Sequence, residues 1–195
     1  MINLYIKSGC MRQHNPKSNL KRSIPSYQNS CLQRAENAAV YHLSTVFNID
    51  ADLWWTVNDD KQEILFELHV KTTGWIALGI SPDGAMIGAD IGTGWVDKIG
   101  NVHFQDRYAY AFARPIIDNT TQDWFHLQGR EQNGWTSIQF KRLLDTSDPM
   151  DVPIMSGITN VIFAYGLVDA DLSRPNGDIS SHGPRRGVLK IPLHS

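Results

Sequence analysis

The chain has 195 residues, 42% of them hydrophobic, which is enough for one domain with a substantial core and is ordinary for a globular protein. Residues 1–40 carry six basic side chains against Glu36 alone, whereas the rest of the chain carries 12 basic and 19 acidic ones. Because the positive charge lies outside the acidic part, a nucleic-acid-binding domain of the usual basic type is excluded. No run of about 18 apolar residues is present that would predict a transmembrane segment.

Residues 1–40 form a leader rich in Asn, Ser and basic side chains, a composition that predicts a poorly ordered tail. The leader has no apolar core of the length that a secretory signal needs. Both cysteines of the chain, Cys10 and Cys31, lie in it, and the sequence leaves open whether they pair. We therefore place the domain at residues 41–195.

Short apolar segments separated by turn residues follow one another along the domain. In residues 64–70, apolar side chains alternate with others, which is typical of a half-buried strand. A single helical turn is predicted at residues 143–145. Strands are predicted at residues 43–47, 53–57, 64–70, 75–80, 95–96, 102–105, 108–112, 123–128, 135–140, 160–166 and 187–193. We expect Trp54, Trp75, Trp95, Trp124 and Trp135 mostly in or near the core. The pattern predicts an all-β fold, an antiparallel immunoglobulin-like β-sandwich of roughly ten strands.

The most informative stretch is residues 74–96, which read GWIALGISPDGAMIGADIGTGWV. An apolar strand ends at Ser81-Pro82-Asp83-Gly84, where proline presets one torsion and glycine supplies a positive φ. A second apolar strand resumes at Trp95-Val96. So much glycine between apolar strands indicates that backbone, or a ligand, approaches closely here.

That stretch resembles the DOMON domain, a β-sandwich module named after the N-terminal part of dopamine β-monooxygenases. Further pieces of the pattern follow in order: FQDRY at 104–108, QDW at 122–124, FKR at 140–142, TSDP at 146–149, FAYG at 163–166, and His182 before Arg186-Gly187. The resemblance runs from about Tyr41 to the end of the chain. It indicates the dopamine β-monooxygenase-like branch, whose members are copper- and ascorbate-dependent monooxygenases.

The copper chemistry of that branch has no counterpart in this sequence. Copper hydroxylases bind the metal through clustered histidines and a thioether, whereas the seven histidines here are isolated. The resemblance implies that the copper ligands lie in two later domains. We therefore expect no catalytic residues in this chain. Its implied role is accessory, with catalytic monooxygenase domains or a partner protomer as its partners.

Two carboxylates make a hard-cation site conceivable. Asp90 stands beside bare backbone carbonyls in the glycine-rich stretch, an oxygen-rich setting that suits Ca²⁺, and Asp123 offers a second carboxylate. The resemblance implies that both converge with the backbone carbonyls of Ile91 and of the region around Arg107. The alternative is that Asp90 caps a turn, Asp123 begins a strand, and Arg107 is an ion-pair partner.

A haem site is the second possibility that the resemblance implies. Some DOMON domains bind b-type haem between a methionine of the glycine-rich stretch and a histidine near the C-terminus. Met86 and His182 occupy the matching places, and Met/His ligation suits electron transfer. The alternative is that Met86 fills a gap in the core and that His182 is a solvated loop residue.

Further expectations concern glycosylation, location and an alternative function. Asn119-Thr120-Thr121 is a glycosylation sequon, which matters only in a secreted protein. The resemblance implies the secretory pathway or an extracellular location, and since the leader lacks a signal, we expect an incomplete or alternatively started chain. A weaker functional alternative is a sugar- or catechol-binding sandwich that uses Trp124 and Trp135 as exposed aromatics.

Overall fold

The computed structural model describes residues 43–48, 50–174 and 178–194. The predicted leader with Cys10 and Cys31 lies outside these residues, so its order and the pairing of its cysteines stay predictions. The described strands are β1 (Leu43–Asn48), β2 (Ala51–Asn58), β3 (Glu63–Val70), β4 (Ile76–Ser81), β5 (Asp90–Val96), β6 (Val102–Tyr108), β7 (Ile116–Ile117), β8 (Phe125–Gln132), β9 (Trp135–Leu143), β10 (Gly157–Tyr165) and β11 (Arg186–His194). Within the described ranges, no helix is long and apolar enough to cross a membrane.

The strands form two sheets. One has five strands in the order β1-β2-β3-β9-β8, and the other has six in the order β11-β10-β4-β5-β6-β7. Every pairing between these strands is antiparallel. The predicted all-β antiparallel sandwich is confirmed.

The core lies between the two sheets and follows the period-two pattern of the strands. On β3, the side chains of Ile64, Phe66 and Leu68 are fully buried, and on β9 Ile138 and Phe140 meet them from the neighbouring strand. Burying such a side chain stabilises the fold by about 1.5–3 kcal/mol. The alternation predicted for residues 64–70 and the strand predicted at 135–140 are therefore confirmed.

A second apolar cluster covers the outer face of the six-stranded sheet. It includes Trp75, Ala77, Ile91 and Trp95, with Met86 packed against it. For this reason β4 and β5 are buried along their whole length rather than on one face only. The sheet thus has two covered faces, and the outer one carries the first candidate site.

Some sequence predictions fail because long-range pairing overrides local pattern. The strand predicted at residues 108–112 is absent: β6 extends the strand predicted at 102–105 and ends at Tyr108, since the chain must reverse for β7 to pair with β6. The helical turn predicted at residues 143–145 is absent, because Leu143 pairs with Glu63 and stays extended.

Trp54 and Trp135 are only half-buried, and Trp55 takes the core position instead. The other three tryptophans predicted for the core are buried: Trp75, Trp95 and Trp124.

Candidate functional site

A cavity of about 680 Å³ lies on the outer face of the six-stranded sheet. Small side chains of three adjacent strands line it, because Ala77 on β4, Thr93 on β5 and Ala164 on β10 leave space where larger residues would fill it. Three loops complete the lining and contribute Met86, residues 112–115 and residues 179–182. The volume falls within the range of about 300–1,000 Å³ that is usual for ligand and cofactor pockets.

Met86 reaches the cavity from a loop whose shape is fixed by side-chain hydrogen bonds. Ser81 Oγ accepts a hydrogen bond from Gly84 N at 2.9 Å and donates one to the carbonyl of Ala85 at 2.7 Å. Gly84 has a φ of 89°, which a residue with a side chain adopts only with strain. The SPDG turn predicted from the sequence therefore presents the half-buried Met86 thioether to the cavity.

His182 lines the same cavity from the loop that precedes β11. Its Nδ1 lies 2.7 Å from the carbonyl oxygen of Gly183, so Nδ1 must carry the proton and donate it. In the neutral ring Nε2 then holds the free lone pair, which is the form in which histidine binds a metal. The structure thus brings Met86 and His182, which are distant in sequence, to one cavity.

A few polar groups interrupt the apolar lining. The hydroxyl of Thr93 is buried and has no hydrogen-bond partner. Two guanidinium groups also line the cavity, those of Arg114 and Arg186, and Arg114 forms an ion pair with Asp178. A mostly apolar cavity with a few polar groups is typical of small-molecule and cofactor sites.

The inner face of the same sheet carries buried charge. Both carboxylate oxygens of Asp90 are engaged: Oδ1 accepts a hydrogen bond from Trp124 Nε1 at 2.5 Å, and Oδ2 pairs with Arg142 Nη1. The side chains of Asp90 and Arg142 are fully buried. Burial lowers the pKa of Arg142 to about 10, against the opposing effect of Asp151, and the residue stays charged at neutral pH.

Asp90 also lies close to carboxylates that sequence reasoning did not propose as ligands. One oxygen each of Asp90, Asp106 and Asp151 lie within 4.8 Å of one another, and so do oxygens of Asp118, Asp148 and Asp151. Burial raises the pKa of Asp106 to about 8, and the charges of Asp151, Asp118 and Asp123 add to the effect. The donors that could hold a cation are therefore on β5, on β6, just after β7 and in the loop between β9 and β10.

The residues predicted as cation ligands lie on β5, on β6 and just before β8. Ile91 and Arg107 face each other across the β5–β6 ladder. The Arg107 guanidinium donates to Gln105 Oε1 and, at 2.8 Å, to the carbonyl of Pro115. Asp123 lies at the edge of the acidic group, where its backbone N–H donates to Asp106 Oδ2 at 2.8 Å. Since Asp90 is already paired with Arg142, the cation site with this ligand set stays a prediction.

The aromatic and glycosylation candidates have clear positions. Trp124 is only 4% exposed, so the expectation that it forms an exposed platform for a sugar or catechol is wrong. It is buried because Gly92 leaves room for its ring, which lies 2.8 Å from where a Cβ at Gly92 would be. Asn119 is exposed in the loop after β7, as a glycosylation acceptor must be.

Three comparisons place this architecture among known proteins. The family model described as the DOMON domain matches residues 50–166. MOXD1 homolog 2 of Drosophila melanogaster is 36% identical over 146 residues, and DBH-like monooxygenase protein 1 of Homo sapiens is 32% identical over 153 residues. These matches cover 73% and 78% of this chain, but only 17% and 24% of the relatives' own lengths.

A solved structure has the same fold at low identity. The cytochrome domain of Myriococcum thermophilum cellobiose dehydrogenase superimposes with a TM-score of 0.64, at 14% identity, over 78% of this chain and 82% of that one. The match to the family model covers more than half of this chain, and the relatives carry the names of DBH-like proteins. The chain belongs to the DOMON family, in the branch of the DBH-like monooxygenase proteins.

Proposed function

We propose that this DOMON domain binds haem b in the cavity on the outer face of its six-stranded sheet. The observation that carries the proposal is that Met86 and His182, the two residues in the matching positions of haem-binding DOMON domains, line one cavity. The cytochrome domain that shares the fold supports it.

The residues present fit such a group. The Met86 thioether and the Nε2 lone pair of His182 would hold the haem iron, since the hydrogen bond from Nδ1 to Gly183 leaves Nε2 unprotonated. The guanidinium groups of Arg114 and Arg186 would face the propionates. Both cysteines lie in residues 1–40, so no Cys-x-x-Cys-His attachment sequence is present, and the haem would be held without covalent bonds.

A haem held by methionine and histidine supplies one-electron transfer at a raised reduction potential. The chain's own residues would exclude water from the ligand through the apolar floor formed by Ala77, Ile91 and Ala164. The Gly183 carbonyl would fix the tautomer and orientation of His182. The function is then electron transfer, or storage of one electron, by a module that itself carries out no hydroxylation.

In a longer DBH-like protein, this domain would be an accessory module beside the catalytic domains, and copper would be bound there rather than here. Because the chain spans 17% to 24% of the relatives it matches, the activity and substrates of such a protein belong to this proposal. Passage through the secretory pathway also belongs to this proposal, and glycosylation of Asn119 would indicate it.

The test is a titration of the purified chain with haemin, followed by the Soret band. We expect saturation at a single haem per chain and the spectrum of a low-spin haem with two axial ligands. His182→Ala should lower the affinity by more than about 100-fold, since even outer-shell changes cost 10–100-fold in metal sites. Met86→Ala should retain weaker binding with a high-spin spectrum, because one axial ligand remains.

The matched controls are His126→Ala and Met155→Ala, which remove the same side chains at exposed positions that do not line the cavity. Both should bind haem as the unaltered chain does. The proposal is contradicted if the unaltered chain shows no saturable binding, or if His182→Ala and His126→Ala bind equally well.

A further inference from the structure

The connection between β10 and β11 carries His182 and is held against the core by Trp75. In its described parts, residues 166–174 and 178–185, this connection contains no strand. A side chain on an irregular segment depends on outside contacts for its position, since connecting segments are less fixed than the strands they join. The contacts that Trp75 makes therefore bear on where His182 lies.

Trp75 lies just before β4, is 2% exposed and lines the cavity. Its backbone N–H donates to the carbonyl of Val168 at 3.2 Å, and its carbonyl accepts a hydrogen bond from Gly166 N at 2.8 Å. Its indole Nε1 donates to Ser180 Oγ at 3.3 Å. One buried residue thus holds the beginning of the connection by its backbone and a later part by its side chain.

The direction of the indole N–H is fixed by close packing. A Cβ at Gly166 would lie 2.1 Å from Trp75 Nε1, so glycine is what lets the ring lie against the backbone there. The ring also belongs to the outer apolar cluster, together with Ala77 and Ile91. Because the ring is held in this way, its hydrogen bond sets the position of Ser180 relative to the cavity.

His182 lies between two anchored points of the chain. Ser180, which is bonded to Trp75, comes two residues before it and lines the same cavity. After it, Arg185 N donates to the carbonyl of His182 at 3.0 Å, and Tyr165 N on β10 donates to the carbonyl of Arg185 at 3.1 Å. The backbone on both sides of His182 is therefore tied to the six-stranded sheet.

We infer that Trp75 and Ser180 are positioning residues that hold His182 where it binds the haem iron. This inference rests on the proposed function and deepens it. A side chain that is held in its binding position before the ligand arrives loses less conformational freedom on binding, and the affinity is higher for that reason. Partners of this kind, one step removed from a metal, orient the ligands that touch it.

The test is a haemin titration of Ser180→Ala, followed by the Soret band and by the spin state of the bound haem. The variant removes the acceptor of the indole hydrogen bond. We expect an affinity roughly 3- to 10-fold lower than that of the unaltered chain, as loss of one neutral hydrogen bond would give. A high-spin fraction should also appear, because His182 is no longer held in one position.

Two matched variants separate this role from a general effect on the fold. Ser180→Thr keeps the acceptor oxygen and should retain the low-spin spectrum. Ser173→Ala removes a serine hydroxyl of the same connection that donates to Asp171 and does not line the cavity, so the titration should not change. The haem-free Ser180→Ala chain should melt within about 2 °C of the unaltered one, since exposed substitutions change stability little.

Trp75→Phe shows whether Ser180 acts through the indole. It removes the donor and keeps an aromatic ring, so Ser180→Ala added to it should lower the affinity no further. Full additive losses in the double variant would overturn the inference, because Ser180 would then act by another route. If Trp75→Phe does not fold, Ser180→Ala decides alone.

The outcomes distinguish this inference from the proposed function. Saturable low-spin binding that Ser180→Ala leaves unchanged would overturn the inference and leave the proposed function standing. No saturable binding by the unaltered chain would contradict both.

Discussion

The two faces of β5 carry very different chemistry. Ile91 and Thr93 point outward and line an apolar cavity, whereas Asp90 points inward to a fully buried ion pair. Adjacent residues of one strand thus serve two unrelated chemistries, because side chains alternate between the faces of a sheet.

The two faces also use small residues for different purposes. On the outer face, the small side chain of Ala77 borders a volume that protein atoms do not fill. On the inner face, Gly92 leaves space that rings do fill, since a Cβ there would lie 2.8 Å from Trp124 Cε3 and 2.9 Å from Phe104 Cζ. A small residue in a strand therefore marks either a cavity or a large neighbour, and only the three-dimensional packing tells which.

The largest effect on stability is expected at the inner face, from Arg142→Ala. The change leaves the fully buried carboxylate of Asp90 without its cation, which costs about 3–5 kcal/mol. Chemical denaturation followed by tryptophan fluorescence measures this loss in the free energy of unfolding.

Lys141→Ala is the control, because this neighbour on β9 pairs with Glu63 at 2.5 Å but remains partly exposed. A pair of that kind contributes about 0–1 kcal/mol. Equal losses in the free energy of unfolding of the two variants would show that the buried pair on the inner face contributes no more to stability than a partly exposed pair. That result would contradict the difference between the two faces.

A smaller effect is expected from Gly92→Ala, which inserts one methyl group against the rings of Trp124 and Phe104. Overpacking of this kind costs about 1–3 kcal/mol.

The next residue, Thr93, tests the opposite face. Thr93→Val removes a buried hydroxyl that has no partner and should change stability by less than about 0.5 kcal/mol, or stabilise. A larger loss for Thr93→Val than for Gly92→Ala, measured by the same denaturation, would reverse the assignment of the two faces.

The fold was largely predictable because the core residues alternate along each strand with a period of two. The alternation of Ile64, Phe66 and Leu68 is visible in the sequence and is what buries them. The prediction failed at Phe112 and Leu143, where pairing with distant strands decides whether the chain turns or stays extended.

The sites were predictable to different degrees. Met86 and His182 carry a recognisable pattern, and both line one cavity. The acidic side chains near Asp90 were missed because Asp106, Asp118 and Asp151 lie in three segments with no common motif, and only the fold brings Asp151 close to each of the other two. Asp90, which did stand out in the sequence, is neutralised by Arg142 from the other sheet. No local sequence pattern indicates that Asp90 and Arg142 pair.

The most direct test of the haem proposal is a haemin titration of the unaltered chain and of Ala77→Leu, with the far-ultraviolet circular dichroism of both recorded. Ala77 lines the cavity, so a leucine there would occupy its volume while Met86 and His182 remain unchanged. We predict a saturable Soret band for the unaltered chain and its loss in Ala77→Leu, with the β-sheet spectrum retained in both. Identical titrations of the two chains would show that haem binds outside the cavity and would contradict the account.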